Sequence, residues 1–252
     1  MHLYTDIDPS STFINISTAS TTTTTITKPT TTTTLTATST PAPKQQNQKP
    51  LYFAYGSNLS PTQMSTRCTI DPDTSIPLAI ARLPKWRWLI HQRGYANVLP
   101  PAELRVGGQL HPDAEQVPVA GDEDAVYGVL YDMAEEDERI LDGYEGVDWD
   151  APVAEGKKEG LGLDVRPREQ GRGSYNKWVV EAEVVKWVGG GDEREKRDTV
   201  PVLVYVDEKR VSMGPPKAEY IPRMNRAIRE SVGLGLPAQW AEEVMRPSIP
   251  LI

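Results

Sequence analysis

The sequence predicts an α+β domain or a small β-barrel, and two observations lead to this fold class. Six short runs after Pro50 are rich in β-branched and aromatic residues, whereas only four segments have the apolar spacing of helices. Turn residues, rather than long helices, separate most of these runs, which favours antiparallel pairing over a doubly wound parallel sheet. The 252 residues less the first fifty leave about 200, which is enough to bury one hydrophobic core.

The first predicted strand is Leu51–Tyr55, an apolar and aromatic run that a Gly-Ser-Asn turn ends. Ala125–Met133 is the clearest strand by its β-branched and aromatic content. It leads into Ala134–Leu141, where apolar residues among acids predict a short amphipathic helix that stops at Asp142-Gly143. The other predicted strands are Ala79–Ile90, Tyr95–Leu99, Trp178–Val188 and Thr199–Asp207, and the other predicted helices are Thr62–Arg67, Ala218–Val232 and Ala238–Met245.

The first fifty residues differ from the rest of the chain in composition. From Ser10 to Pro43 they are mostly Thr and Ser with scattered Pro. They hold few large apolar groups whose burial would offset the entropy lost when the backbone is ordered. We therefore expect residues 1–50 to be a disordered Thr/Ser-rich tail and residues 51–252 to be the folded domain.

Composition argues against several classes of function. The net charge of −8 argues against a nucleic-acid surface, and no apolar run reaches the length that spans a bilayer. The N-terminus lacks the basic and apolar regions of a signal peptide, and the single cysteine, Cys68, rules out an internal disulfide, so we expect a cytoplasmic location. The histidines His2, His91 and His111 are scattered, so no metal or other cofactor is expected. His91 is expected to be a surface or hydrogen-bonded residue.

The heptapeptide Tyr52–Asn58 (YFAYGSN) is the most informative segment of the chain. It begins as a strand and ends in Gly56-Ser57-Asn58, where glycine permits a positive φ and the polar side chains can bond their own backbone. A strand that ends in such a turn can direct successive backbone N–H groups at one point, where they bind an anion or a carbonyl oxygen. Taken by itself, the junction is also compatible with a simple turn.

A second segment, Leu141–Val147 (LDGYEGV), places Glu145 between an aromatic residue and a glycine at the end of the predicted helix. Tight turns at such a position can hold the carboxylate inward. The alternative is a solvent-exposed turn residue, because most acidic side chains lie on the surface. The residue types alone leave both interpretations open.

These two segments resemble motifs of the γ-glutamylcyclotransferase family. Leu51–Leu59 (LYFAYGSNL) is similar to the family's entry motif, and Leu141–Val147 is similar to the segment that holds its catalytic glutamate. Weaker matches lie at Arg93–Pro100 and Pro215–Met224, so the resemblance runs in the family's order over Leu51–Arg246. The resemblance implies a mixed, largely antiparallel small β-barrel with flanking helices, and a homodimer.

The resemblance implies a reaction as well. Enzymes of this family cleave a γ-glutamyl bond without water, because the α-amine of the glutamyl group attacks its own γ-carbonyl to form 5-oxoproline and release an amino acid. Glu145 is the catalytic residue that the resemblance implies, taking the proton from the α-ammonium and passing it to the departing nitrogen. The residues that the resemblance assigns to substrate binding are Tyr52, Phe53, Ala54, Tyr55, Gly56, Ser57 and Tyr220.

The chain departs from the family in its Thr-rich tail and in the insert Asp148–Gly173, a polar, Gly-rich stretch expected to be a flexible surface loop. Because the insert follows the glutamate segment directly, a γ-glutamylamine or a glutathione adduct is an alternative substrate. A non-catalytic module that binds a small acid is a further alternative, and it predicts a Glu145 side chain that faces solvent. Tyr220 has a core tyrosine as its alternative interpretation. Arg82 and Arg93 are expected to form ordinary ion pairs, with a substrate carboxylate as the alternative partner.

Overall fold

Seven strands and four helices follow one another in the computed structural model, within the residues that it describes, which are 49–118, 125–154, 165–189 and 197–252. The described residues belong to one compact unit, Gln45–Ile252. The predicted tail lies outside them except for Lys49 and Pro50, and so does the centre of the insert. The strands are β1 (Leu51–Ala54), β2 (Pro77–Pro84), β3 (Arg87–Ile90), β4 (Ala96–Leu99), β5 (Ala125–Tyr131), β6 (Asn176–Trp187) and β7 (Thr199–Val206). The helices are α1 (Pro61–Arg67), α2 (Glu135–Glu145), α3 (Tyr220–Leu234) and α4 (Ala238–Trp240), and α4 continues as a π-helical turn over Ala241–Met245.

Five of the strands close into a barrel in the order β1-β5-β2-β6-β7. β1 and β7 pair in parallel, whereas the other pairs of neighbours are antiparallel. Closure pairs the backbone groups that an edge strand would otherwise expose. β3 and β4 form a separate two-stranded antiparallel sheet. The predicted mixed, largely antiparallel small barrel with flanking helices is therefore confirmed.

The hydrophobic core is built from large apolar side chains of the barrel strands. Phe53 on β1, Leu130 on β5 and Trp178 on β6 are almost completely buried. Full burial of such a side chain contributes on the order of 1.5–3 kcal/mol. The β-branched and aromatic content by which these strands were predicted is thus also what fills the core.

The predicted strand Ala79–Ile90 is wrong as a single element, because the chain turns within it and forms β2 and β3. Pro84 at the end of β2 has no N–H to donate to a ladder, and Lys85 adopts a left-handed conformation with φ 65°. The N–H of Trp86 then bonds back to the carbonyl oxygen of Leu83 at 3.4 Å. The turn moves β3 out of the barrel and into the sheet with β4.

Helix α2 extends four residues beyond the predicted end at Leu141. Four acids in its first turn favour the helix N-terminus through the helix dipole. The helix ends at Gly146, which adopts a left-handed conformation with φ 63° and whose N–H bonds to the carbonyl oxygens of Asp142 and Gly143. Two glycines compete for the C-terminal position in the sequence, and Gly146 occupies it. As a result, Glu145 lies in the last helical turn rather than in a following loop.

The described ends of the insert are anchored to the domain, which differs from the flexible surface loop expected over its whole length. Val153 and Arg168 form an isolated antiparallel bridge. The guanidinium of Arg166 bonds to Glu208 at 2.8 Å, and Nε2 of the buried Gln170 donates to Asp207 at 3.1 Å. The residues that lead back into β6 are therefore held in place by buried polar groups.

Among the described residues, no helix combines the length with the apolar composition that crossing a bilayer requires.

Candidate active site

A cavity of about 270 Å³ is lined by the end of β1, the last turn of α2 and the first turn of α3. Six of the eight residues predicted for the site line it. They are Tyr52, Tyr55, Gly56, Ser57, Glu145 and Tyr220. The two sequence motifs therefore face one space although they are far apart in the chain.

The other two predicted residues, Phe53 and Ala54, are fully buried and are not among the residues that line the cavity. Alternate residues of a strand point to opposite faces, so Phe53 lies on the face opposite to Tyr52. Its ring packs against Gly128 of β5, where an added β-carbon would lie 2.6 Å from the ring. Both residues support β1 from within the core, and neither is placed to contact a ligand in the cavity.

Glu145 is largely withdrawn from solvent, with a side chain that is 18% exposed. Its Oε1 atom lies 3.2 Å from Nη1 of Arg67. Burial raises the pKa of the Glu145 carboxyl above its usual value, and the positive charges of Arg67 and Arg223 oppose that rise. A carboxylate in such surroundings is a better base than one in water.

Among the described residues, seven tyrosines line the cavity, and the charge of this carboxylate acts on the phenols of five of them. Burial raises the pKa of each phenol, and the negative charge of Glu145 adds to the rise. For Tyr220 the pKa is raised to about 12. The phenols are therefore protonated at neutral pH and can donate hydrogen bonds. The five are Tyr52, Tyr55, Tyr175, Tyr205 and Tyr220.

Three of the five phenols donate their proton to a protein acceptor. Tyr55 Oη donates to the carbonyl oxygen of Tyr205 at 2.5 Å. Tyr175 Oη donates to the carbonyl oxygen of Ala96, and Tyr205 Oη donates to Oδ1 of Asp142, both at 2.7 Å. These three rings are held in place by their own hydrogen bonds.

Tyr52 and Tyr220 instead receive hydrogen bonds at the hydroxyl oxygen. Nδ2 of Asn58 donates to Tyr52 Oη at 2.9 Å, and the backbone N–H of Ser57 donates to Tyr220 Oη at 3.2 Å. The backbone of Ala96 also bonds to the Tyr220 hydroxyl. Within the described part of the chain neither hydroxyl donates to a protein acceptor, so both protons are available to a ligand in the cavity.

Gly56 is required by a close approach rather than by its conformation. Its φ of −115° lies outside the left-handed region, so the turn does not use the positive φ that glycine permits. A β-carbon at this position would lie 2.9 Å from Tyr220 Oη and 3.3 Å from the β-carbon of Ala96. The glycine therefore lets the Tyr220 hydroxyl reach the turn, and it commits the Ser57 N–H to that hydroxyl.

Arg67 is one of the residues of this site that the sequence did not predict, together with Ser174, Tyr175, Tyr205 and Arg223. It ends α1, and its Nη1 donates both to Glu145 and, at 3.1 Å, to Oδ1 of Asn58. Its guanidinium carbon lies 4.9 Å from the centre of the Tyr144 ring. The local signal for Arg67 was that a short helix, which begins soon after the glycine turn, ends in an arginine.

Asp142 is a second buried acid on α2, three residues before Glu145 and fully shielded from solvent. Its Oδ1 accepts from Tyr205 at 2.7 Å, and its Oδ2 lies 3.1 Å from Nζ of Lys177. Burial raises the pKa of this carboxyl, and Tyr205 and Lys177 oppose the rise. Asp142 does not line the cavity, and it holds the Tyr205 ring that does.

His91 lines the cavity as a buried, hydrogen-bonded residue, which was one of the two interpretations from sequence. Its Nδ1 accepts from the backbone N–H of Arg93 at 3.0 Å, and its Nε2 lies 3.1 Å from Tyr175 Oη. Burial lowers its pKa to about 4, so the ring is neutral at pH 7. In the part of the chain that the structure describes, no group of three or more His, Cys, Asp or Glu residues could hold a metal ion.

No protein-family model matches the chain, and no curated protein matches it. Several solved structures are similar to it. One is named gamma-glutamyl cyclotransferase and is 18% identical over 77% of this chain and 85% of its own, with a TM-score of 0.46. YkqA from Bacillus subtilis is 18% identical over 80% of this chain and 55% of its own, with a TM-score of 0.47. A yeast gamma-glutamyl cyclotransferase specific to glutathione is 15% identical over 77% of this chain and 96% of its own, with a TM-score of 0.35.

Proposed function

We propose that the protein is a γ-glutamylcyclotransferase, which converts a γ-glutamyl amino acid or peptide to 5-oxoproline and releases the amino acid or shortened peptide. The observation that supports this proposal most is that the largely buried Glu145 carboxylate faces the same cavity as the Tyr55–Ser57 turn. The sequence resemblance implies these two parts, and both line one cavity with Tyr220, whose hydroxyl accepts from the Ser57 N–H.

The proposed reaction needs little from the protein beyond binding and proton transfer. The nucleophilic amine and the electrophilic γ-carbonyl belong to one molecule, so the cavity has only to hold the substrate in its folded, reactive conformation. Orientation of this kind supplies on the order of 7–11 kcal/mol in well-arranged intramolecular reactions. The tyrosine rings that line the cavity give it fixed walls, because three of them are held by hydrogen bonds to the protein.

Glu145 moves the proton in this scheme. The substrate α-ammonium first loses a proton to the carboxylate, and the amine then forms the ring bond to the γ-carbon. Glu145 returns that proton to the leaving nitrogen as its bond to the γ-carbon breaks, and the second proton that the ring nitrogen gives up passes to the released amine, which departs as an ammonium. The raised pKa of Glu145 suits both steps, because it lies closer to neutral pH than the pKa of an exposed glutamate. No water or second substrate enters the balance.

The γ-oxygen gains negative charge while the ring closes, and Tyr220 is the donor that we assign to it. The sequence favoured the backbone N–H groups of the Tyr55–Ser57 turn for this role, and one of them, that of Ser57, donates to Tyr220 Oη. We therefore assign the role of the Ser57 N–H to the phenol of Tyr220, whose proton has no protein acceptor among the described residues. A donor of this kind contributes about 2.7–4 kcal/mol to the rate.

The test is release of 5-oxoproline by the full chain from four compounds: γ-glutamyl-alanine, glutathione, γ-glutamyl-ε-lysine and a γ-glutamyl amine. We expect turnover of γ-glutamyl-alanine by the unmodified protein and loss of turnover in Glu145→Gln. Glu135→Gln, an exposed acid at the start of the same helix, is the matched control and should keep its activity. Absence of 5-oxoproline from all four compounds would contradict the proposal.

The same panel separates the alternatives. Turnover of glutathione alone would indicate a cyclotransferase that acts on glutathione. Turnover of the amine substrate alone would indicate a γ-glutamylamine cyclotransferase. Binding without turnover would favour a non-catalytic module. The inward position of Glu145 weighs against that module, which has no need for a shielded carboxylate of raised pKa. A homodimer remains a prediction from the sequence resemblance.

A further inference from the structure

Three arginines line the cavity, and one of them, Arg93, forms no ion pair with a carboxylate among the residues that the structure describes. Arg67 is paired with Glu145, and Arg223 is paired with Glu219 at 2.8 Å. Arg93 donates from Nη1 to Oγ of Ser174 at 2.9 Å. Among the described residues no carboxylate oxygen lies within 4.0 Å of its guanidinium, whereas Arg82 has the expected ion pair with Glu183.

Arg93 is held at the exposed edge of the cavity. Its backbone N–H bonds to His91 Nδ1 at 3.0 Å, which fixes the turn that presents the side chain. A guanidinium has five N–H donors, and the contact with Ser174 uses one of them. The remaining donors form a planar array that matches a carboxylate.

The partner of Arg93 places this array close to Glu145. The backbone N–H of Ser174 bonds at 2.8 Å to the carbonyl oxygen of Gly146, the residue that directly follows Glu145. Tyr175 lies close enough to feel both charges: burial raises the pKa of its phenol most, the charge of Glu145 raises it further, and the charge of Arg93 lowers it. Arg93 and Glu145 therefore line neighbouring parts of the same cavity.

We propose that Arg93, together with the hydroxyl of Ser174, is a specificity-determining pair that binds a carboxylate on the leaving group. This inference rests on the proposed function. Glu145 returns its proton to the leaving nitrogen, so the leaving group lies beside Glu145 and reaches the Arg93 side of the wall. The carboxylate of an α-amino acid is two bonds from that nitrogen, whereas a simple amine has no charge there. Arg93 therefore favours an amino-acid leaving group over an amine.

The test compares two substrates that differ by this carboxylate alone. γ-Glutamyl-ethylamine is γ-glutamyl-alanine without the carboxylate of its alanine, so the ratio of their kcat/KM values measures how strongly the protein recognises that group. We expect the unmodified full chain to prefer γ-glutamyl-alanine by at least about tenfold, and Arg93→Gln to lose about tenfold or more of this preference. Arg93→Lys should keep part of it, because the charge remains, and Ser174→Ala should lose less than Arg93→Gln.

Arg139→Gln is the control, because Arg139 is an exposed arginine on α2 that pairs with Glu135 and does not line the cavity. Its preference should equal that of the unmodified protein. An unchanged preference in Arg93→Gln would overturn the inference. An equal loss on both substrates would overturn it too, because Arg93 would then bind the glutamyl part that the two share.

A failure of the proposed function gives a different result. If the unmodified protein releases 5-oxoproline from neither of these compounds nor from the rest of the panel, the reaction is refuted, and calorimetric binding of γ-glutamyl-alanine and γ-glutamyl-ethylamine then tests Arg93. Tighter binding of γ-glutamyl-alanine that Arg93→Gln abolishes would support the carboxylate site without catalysis. Equal binding of both compounds by the unmodified protein would overturn it. Circular dichroism of Arg93→Gln confirms that the variant is folded in either case.

Discussion

The last turns of helix α2 present two acids, three residues apart, to two different surroundings. Asp142 is closed off from the cavity, with Tyr205 on one carboxylate oxygen and Lys177 on the other. Glu145 is paired with Arg67, the one ionic partner that it has in the described part of the chain, and it lines a cavity rich in tyrosines. Burial raises the pKa of both acids, so the pKa alone does not separate them.

The hydrogen-bonding capacity that each carboxylate leaves unused does separate the two acids. Asp142 has both oxygens bonded to residues of the protein, which suits a residue that holds Tyr205 in position. Glu145 keeps an oxygen free of the contact with Arg67, which suits a residue that exchanges a proton with a ligand. One short helix therefore carries a supporting acid and, three residues later, a candidate catalytic acid.

The largest expected effect is that of replacing Glu145, which tests whether it, rather than Asp142, is the catalytic acid. In Glu145→Gln we expect kcat/KM for γ-glutamyl-alanine to fall by about 10²–10⁴-fold, because the proton carrier is gone. The folded-state pKa of Glu145 is raised, so its contribution to stability is present below the unfolded pKa and is lost as the pH rises through the folded pKa. At neutral pH the neutral glutamine should therefore not lower the free energy of unfolding, which urea denaturation measures.

The next prediction compares two phenols, that of Tyr220, which has an available proton in the cavity, and that of Tyr205, which donates to Asp142. In Tyr220→Phe we expect kcat to fall by about 10²-fold, because the available donor in the cavity is lost. In Tyr205→Phe the lost proton served Asp142, so the main effect should be on the free energy of unfolding. Steady-state kinetics and urea denaturation of both variants check this, and a larger loss of kcat in Tyr205→Phe would reverse the assignment.

Asp142→Asn tests the supporting acid. An asparagine can still accept from Tyr205, but it turns an amide donor toward the ammonium of Lys177. We expect the free energy of unfolding to fall by about 1–3 kcal/mol, with a smaller loss of activity than in Glu145→Gln. An Asp142→Asn variant of full stability and no activity would show that the two acids act together in the reaction.

The smallest expected effect is a shift in pH dependence. Glu145 must be ionised to accept the substrate proton, so kcat/KM falls as the pH drops through its pKa. Arg67 lowers that pKa, so Arg67→Gln should raise it and move the acid limb of the profile to higher pH. The measurement is kcat/KM against pH for the unmodified protein, for Arg67→Gln and for Arg139→Gln, and an acid limb that stays in place would show that Arg67 does not tune the acid.

Local pattern predicted much of the architecture. The barrel strands and α1, α2 and α3 lie within a few residues of their predicted positions, because strand and helix signals are carried by neighbouring residues. The errors occurred where two local signals competed. Pro84 and Lys85 turned one predicted strand into two, and Gly146 rather than Gly143 ended α2. In both places the residue types allowed either outcome, and packing selected one.

The sequence by itself determined that a glycine turn follows the first strand and that Glu145 stands at the end of a helix, because both depend on residues within a few positions of each other. Only the tertiary structure decided what surrounds them. Arg67 reaches Glu145 across 78 positions, Tyr205 reaches Asp142 across 63, and Tyr220 reaches Ser57 across 163. Barrel closure brings these partners together, and no local periodicity encodes which distant side chain fills a given position.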